Sequence, residues 1–139
     1  MMPKFRGFCI KTDEWVEGSL ICREEPYLHD IVFPVGKRSS VSSAVDRDSV
    51  GQYSGLKDKN GIDIYEGDVV KVTQYFGGMA LGGLIHLVGK SKYNNNLMLI
   101  RQSKQRFLPE VSLSFNQGED YEVIGNIYEN PELHEEVEE

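Results

Sequence analysis

Apolar residues come along this chain in short runs, several of them alternating with polar ones, and turn-forming residues separate the runs. Phe5–Ile10 and Trp15–Cys22 flank the polar Lys11-Thr12-Asp13-Glu14 and predict a first hairpin. Tyr27–Phe33 predicts another strand, ended by Pro34, which has no N–H to give a ladder. The serine-rich Gly36–Ser43 predicts an exposed loop, and Asp46 or Asp48 is placed to cap a single helical or 3₁₀ turn after it. Two runs of β-formers then enclose Asp58-Lys59-Asn60-Gly61, whose residue types tolerate the positive φ of a tight turn, so a second hairpin is predicted there. Gly67-Asp68 leads into the β-branched Val69-Val70-Lys71-Val72-Thr73.

Beyond it, Gly77-Gly78 and Gly82-Gly83 flank Met79-Ala80-Leu81 and predict a hairpin loop before a strand at Leu84–Val88. Asn94-Asn95-Asn96 marks a turn, and the apolar run Leu97–Ile100 predicts a strand covered on both faces, by its own chain or by another subunit. In Phe107–Phe115, Val111, Leu113 and Phe115 alternate with Ser112 and Ser114, the period of a half-buried strand. Tyr121–Tyr128 closes the series, with room for a bulge at Gly125-Asn126 and a stop at Asn130-Pro131. About eight to ten short strands and no sustained helical period predict a mainly β protein.

The residues Val50-Gly51-Gln52-Tyr53, Gly55-Leu56-Lys57-Asp58, Asn60-Gly61, Ile64-Tyr65-Glu66-Gly67-Asp68 and Val123-Ile124-Gly125-Asn126-Ile127-Tyr128-Glu129-Asn130-Pro131 resemble the YopX family of small proteins encoded in bacteriophages and prophages. Lys4-Phe5-Arg6-Gly7-Phe8 is similar to the family's opening, while residues 20–45 and 73–115 match no pattern. The resemblance implies phage origin and one β-rich domain over residues 1–131. It also implies an SH3-like barrel component, placed over roughly 50–131 beside a smaller β-rich N-terminal part, while the composition of 132–139 marks an acidic tail. It implies no established reaction, cofactor or catalytic residue.

A chain of 139 residues with 40% apolar content is long enough for a core. It has no apolar run near the ~20 residues of a membrane span and no signal-peptide pattern, so a cytoplasmic location in a bacterial host is expected. Cys9 and Cys22 are too few for a disulfide scaffold and lack metal-ligand spacing. With a turn at Lys11–Glu14, Cys9 would face Val16 rather than Cys22, and two buried reduced thiols are expected. His29, His86 and His134 are scattered, and His86, inside an apolar strand, reads as a packing residue.

The net charge of −7 is unevenly distributed. Residues 69–109 carry six Lys/Arg and no acid, residues 110–139 carry ten acids and no Lys/Arg, and five glutamates fall in the last eight positions. The terminal run repels itself and predicts a disordered tail or a short frayed helix. In the basic segment, Lys90, Lys92, Arg101, Lys104 and Arg106 are interleaved with Tyr93 and Phe107, a composition suited to single-stranded nucleic acid. The same residues also suit a hairpin with a basic solvent face and inward aromatics.

Asp46, Asp48, Glu66 and Asp68 admit two readings, turn and capping duties or shared ligation of a divalent cation. The glycine pairs precede a strand rather than a helix and no Lys-Ser or Lys-Thr follows them, so no phosphate loop is expected. With no catalytic motif and no metal or cofactor expected, the chain reads as a non-enzymatic binding or assembly module. Its expected partners are a phage or host protein, a second copy of itself, or nucleic acid, and no membrane.

Overall fold

The structure, a computed structural model, describes residues 4–24, 28–90, 97–101, 110–112 and 120–132. Antiparallel strands dominate the described residues, and the chain divides into two compact units, Met1–Tyr53 and Ser54–Glu139.

The first unit is an antiparallel meander of β1 (Phe5–Cys9), β2 (Glu14–Ile21), β3 (Leu28–Val35) and β4 (Ser39–Asp46). A 3₁₀ turn at Arg47–Ser49 follows, and the start of β5 (Gly51–Lys57) returns along β1. β2 changes neighbour along its length: residues 14–18 pair with β1 and 19–21 with β3. Cys9, Ile31 and Val45 form the buried centre, with Phe5, Val16, Leu20, Phe33 and Val50 packed against it. β1 and β4 meet face to face, and a Cβ on Gly7 would fall 2.6 Å from a methyl of Val45.

Three sequence expectations change here. The loop of the first hairpin is Ile10–Asp13, with Asp13 at φ +58° and its N–H donated to the Cys9 carbonyl, so Cys9 faces Glu14 and Gly7 faces Val16. The predicted loop at Gly36–Ser43 is mostly strand: only Gly36–Arg38 turn, and Ser39 onward pairs with β3. The serines hide this strand because its first half, Ser39–Ser42, is exposed and needs no apolar alternation; the register comes from β3. Pro34 does not end β3, because β2 pairs only with residues 30–32 and leaves Pro34 beyond its reach.

The second unit begins with the end of β5, which neighbours the short β6 (Asp63–Tyr65). It continues as a five-stranded antiparallel sheet in the order β10-β9-β8-β7-β11. These strands are β7 (Asp68–Phe76), β8 (Met79–Lys90), β9 (Leu97–Arg101), β10 (Glu110–Ser112) and β11 (Tyr121–Asn126). Among the described residues this sheet does not close into a barrel. Leu56, Ile64, Val70, Val88, Leu99 and Tyr121 are its buried core, with Val72 and Val123 against them.

Gly77-Gly78 is the tight turn of the long β7–β8 hairpin. Gly82-Gly83, expected in a loop, lies inside β8, opposite a register shift between Thr73 and Tyr75 of β7. The bulge expected near Gly125 is present as a register shift between Val123 and Gly125. Of the strand predicted over Phe107–Phe115, Glu110–Ser112 is β10, and the rest lies outside the described residues. Of the terminal tail, 133–139 lies outside them as well.

Candidate functional site

Two buried carboxylates organise the second unit. Asp58 closes its turn by accepting Asn60 N–H at 2.8 Å and Ile62 N–H at 2.9 Å through Oδ1. Its Oδ2 accepts Val123 N–H at 3.0 Å, from a strand 65 residues away. Lys59 N–H adds a bond of 3.0 Å to the Tyr121 carbonyl, and Gly61, at φ +79°, donates to the Asp58 carbonyl. That φ is where a side chain is strained, which accounts for glycine at this position. The turn thereby covers the outer edge of β11. Asp68, 1% exposed, accepts Tyr65 N–H at 2.7 Å and closes the next turn. Gly67 in that turn donates to Val88 and accepts from Ile127. Asn126 accepts Glu129 N–H, and Asn130 accepts Asn126 N–H. The residues 58–68 and 121–130 therefore converge on one another and satisfy each other's backbone groups.

Of the acids that admitted a cation site, Asp46 and Asp68 take such duties. Asp46 Oδ1 accepts Asp48 N–H at 3.1 Å and caps the 3₁₀ turn, whose Ser49 hydroxyl donates to the Asp46 carbonyl. Among the described residues no three His, Cys, Asp or Glu side chains are grouped as metal ligands. His86 is buried in β8, with Nδ1 3.3 Å from the Leu84 carbonyl.

The basic segment is described only in part. Lys90 is exposed at the end of β8 and pairs in register with Leu97, whereas Arg101 stands in register with His86. The two positions are thus four residues apart along one ladder, roughly 13 Å. Lys92, Tyr93, Lys104, Arg106 and Phe107 lie outside the described residues.

Cations and aromatic rings do meet in the first unit, which the sequence reading did not single out. The Arg6 guanidinium lies 4.7 Å from the Trp15 ring centre, and the Lys4 ammonium 4.4 Å from that of Tyr53. Phe8 meets Trp15 edge-on at 5.4 Å. Lys4 also pairs with Glu17 at 3.7 Å. Trp15 is half-buried beneath this cover. The signal in the sequence is period two: Lys4, Arg6 and Phe8 share one face of β1, opposite Trp15 and Glu17 of β2.

The thiols differ from each other. Cys22 is exposed, contrary to the expectation of two buried thiols, because it lies beyond the end of β2. Cys9 is 4% exposed, directly beneath the Ile10–Asp13 loop. Hydrogen bonds from the Ser43 hydroxyl, and then from Thr12, favour its thiolate and lower its pKa to about 7. Asp30, also buried, is neutralised by Arg23, whose Nε donates to it at 2.6 Å.

The fold is thus a two-unit antiparallel β protein in which paired turns clamp the closing strand. The chain belongs to the YopX family: the family's sequence model, described as YopX protein, matches residues 4–135. It is similar to the crystal structure of protein EF1440 from Enterococcus faecalis, at 25% identity and a TM-score of 0.50. That likeness covers 96% of this chain and 99% of that one. No curated protein sequence matches the chain. No helix among the described residues is long and apolar enough to cross a membrane.

Proposed function

We propose that this protein is a phage- or prophage-encoded, non-enzymatic binding or assembly module that associates with itself or with a phage or host protein in the bacterial cytoplasm. One observation carries this reading. Asp58, Gly61, Asp68, Asn126 and Asn130, all within the stretches that resemble the family, are engaged with backbone groups and hold the fold. What remains available for work is surface and strand edge. A pull-down from bacterial lysate, with and without nuclease, tests it: a protein retained after nuclease supports the reading, and turnover of a small molecule by the purified chain overturns it.

The finer fold reading is also ours. A four-stranded meander, a 3₁₀ turn and a return strand beside β1 is the connectivity of SH3-like barrels, which favours assigning that component to residues 5–57 rather than to 50–131.

The charge distribution favours a second reading, single-stranded nucleic acid bound through residues 90–106. Lys90 and Arg101 stand on neighbouring strands within a stretch that has six Lys/Arg and no acid. Under this reading the acidic tail competes for the same charges. Deleting Glu132–Glu139 then raises affinity for single-stranded DNA and steepens its salt dependence in an anisotropy titration, and an unchanged titration removes the idea.

A further inference from the structure

A sheet edge offers a row of backbone N–H and C=O groups to any strand that can reach it, and proteins commonly protect such edges with charge, proline, a bulge or a covering segment. β11 is protected in this way. Its Val123 N–H is taken by Asp58, its Tyr121 carbonyl by Lys59 N–H, and it is bulged before Gly125.

Among the described residues β4 carries no proline, no bulge and no covering strand, and its one charge is the terminal Asp46. It ends the strand order of the first unit, and among the described residues it pairs with β3 alone. Ser39–Val45 contains no charge, no proline and no glycine. Its register with β3 runs unbroken from Leu28↔Asp46 to Val35↔Ser39. Ser39–Ser42 are exposed, and Val41 beside them leaves 44% of its surface open.

Charge lies only at the two ends of this edge: Lys37 and Arg38 precede the strand, and Asp46 completes it, followed by Arg47 and Asp48, so the first end is basic and the second is net acidic by a single charge. That polarity selects an occupant. Two β4 strands laid antiparallel about a twofold axis at Ser42 bring Arg38 opposite the partner's Asp46, twice by symmetry. Between those pairs only small uncharged side chains meet. A parallel arrangement would set like ends together, and opposite charges directly across a ladder are the favourable choice. The register also satisfies hydrogen bonding whichever alternate residues turn their N–H and C=O outward, because the axis maps that set onto itself.

We propose that β4 pairs with β4 of a second copy, antiparallel and centred on Ser42, making one sheet continuous through the dimer axis. This rests on the self-association reading above and gives it a surface and a register.

The test is sedimentation velocity on the full chain, wild type against Ser42→Asp and Ser42→Lys. Each variant sets like charges face to face across the axis and weakens dimerisation by at least about tenfold. An equimolar mixture of the two restores a dimer, which a misfolded variant would not do. In a Cys22→Ser background, Ser42→Cys forms a disulfide-linked dimer on mild oxidation, since residues facing each other across a pair lie ~4.5–5.5 Å apart at Cα. Ser39→Cys in the same background does not.

A dimer indifferent to both Ser42 charges overturns this surface while leaving self-association standing. A monomer at every concentration overturns both. Loss of association with no rescue in the mixture overturns the twofold register and points to a strand from a different protein.

Discussion

Asp58 shows how much of a fold one side chain can hold. Its carboxylate accepts three backbone N–H groups, two within its own turn and one from β11, at a position only 6% exposed. Removing it leaves buried donors without their partner, which is the expensive side of hydrogen bonding. Asp58→Ala is expected to lose about 2–4 kcal/mol in denaturant unfolding. Asp63, whose bond to Lys57 at 2.7 Å lies at the surface, is expected to lose under ~1 kcal/mol on the same substitution.

Cys9 makes a prediction about pH. Its folded pKa, about 7, lies below the ordinary thiol value because Ser43 and Thr12 donate to the thiolate. Stability from this source is lost as pH falls through 7 and grows as pH rises toward the unfolded thiol's pKa of roughly 8.5. The stability difference between wild type and Cys9→Ala should therefore widen across that window. Ser43→Ala should move the thiol's titration upward, as read by thiolate absorbance in a Cys22→Ser background.

At the scale of elements, close approach decides what is tolerated. β1 crosses the face of β4 so tightly that a Cβ on Gly7 would meet three side-chain atoms of Val45 at 2.6–3.0 Å. Val45 is fully buried and β-branched, so it has little freedom to yield. Gly7→Ala is expected to lose about 1–3 kcal/mol, measured by the unfolding midpoint at constant m-value.

The same scale shows why some elements were legible in the sequence. Turns built from Asp58-Lys59-Asn60-Gly61 or Gly77-Gly78 carry their backbone requirement in their residue types. β4 does not: a serine-rich edge strand takes its register from β3 and has no apolar period of its own. Gly82-Gly83 misled for a related reason, since glycine serves a bulge within β8 as readily as a loop. Among candidate site residues, the sequence drew attention to a contiguous basic stretch. For the contacts of Arg6 with Trp15 and of Lys4 with Tyr53, period two places the cations and Phe8 on one side, but which ring each cation meets depends on strand pairing.

For the whole molecule, two cores formed by different residues give two compact units, and the strongest sequence signature belongs to the scaffold of the second. The closing strand is pinned by turns laid down more than fifty residues earlier, so its edge is closed to visitors. Among the described residues the outer edge of β4 pairs with no strand; it is uncharged from Ser39 to Val45, with a basic end before it and a net acidic end after it. Under the proposed function such a molecule works by meeting other chains, and that can be measured without knowing the partner. Sedimentation equilibrium of the wild-type chain from micromolar to millimolar concentration should show reversible association into a closed dimer. A single monomeric species across that whole range would contradict the account.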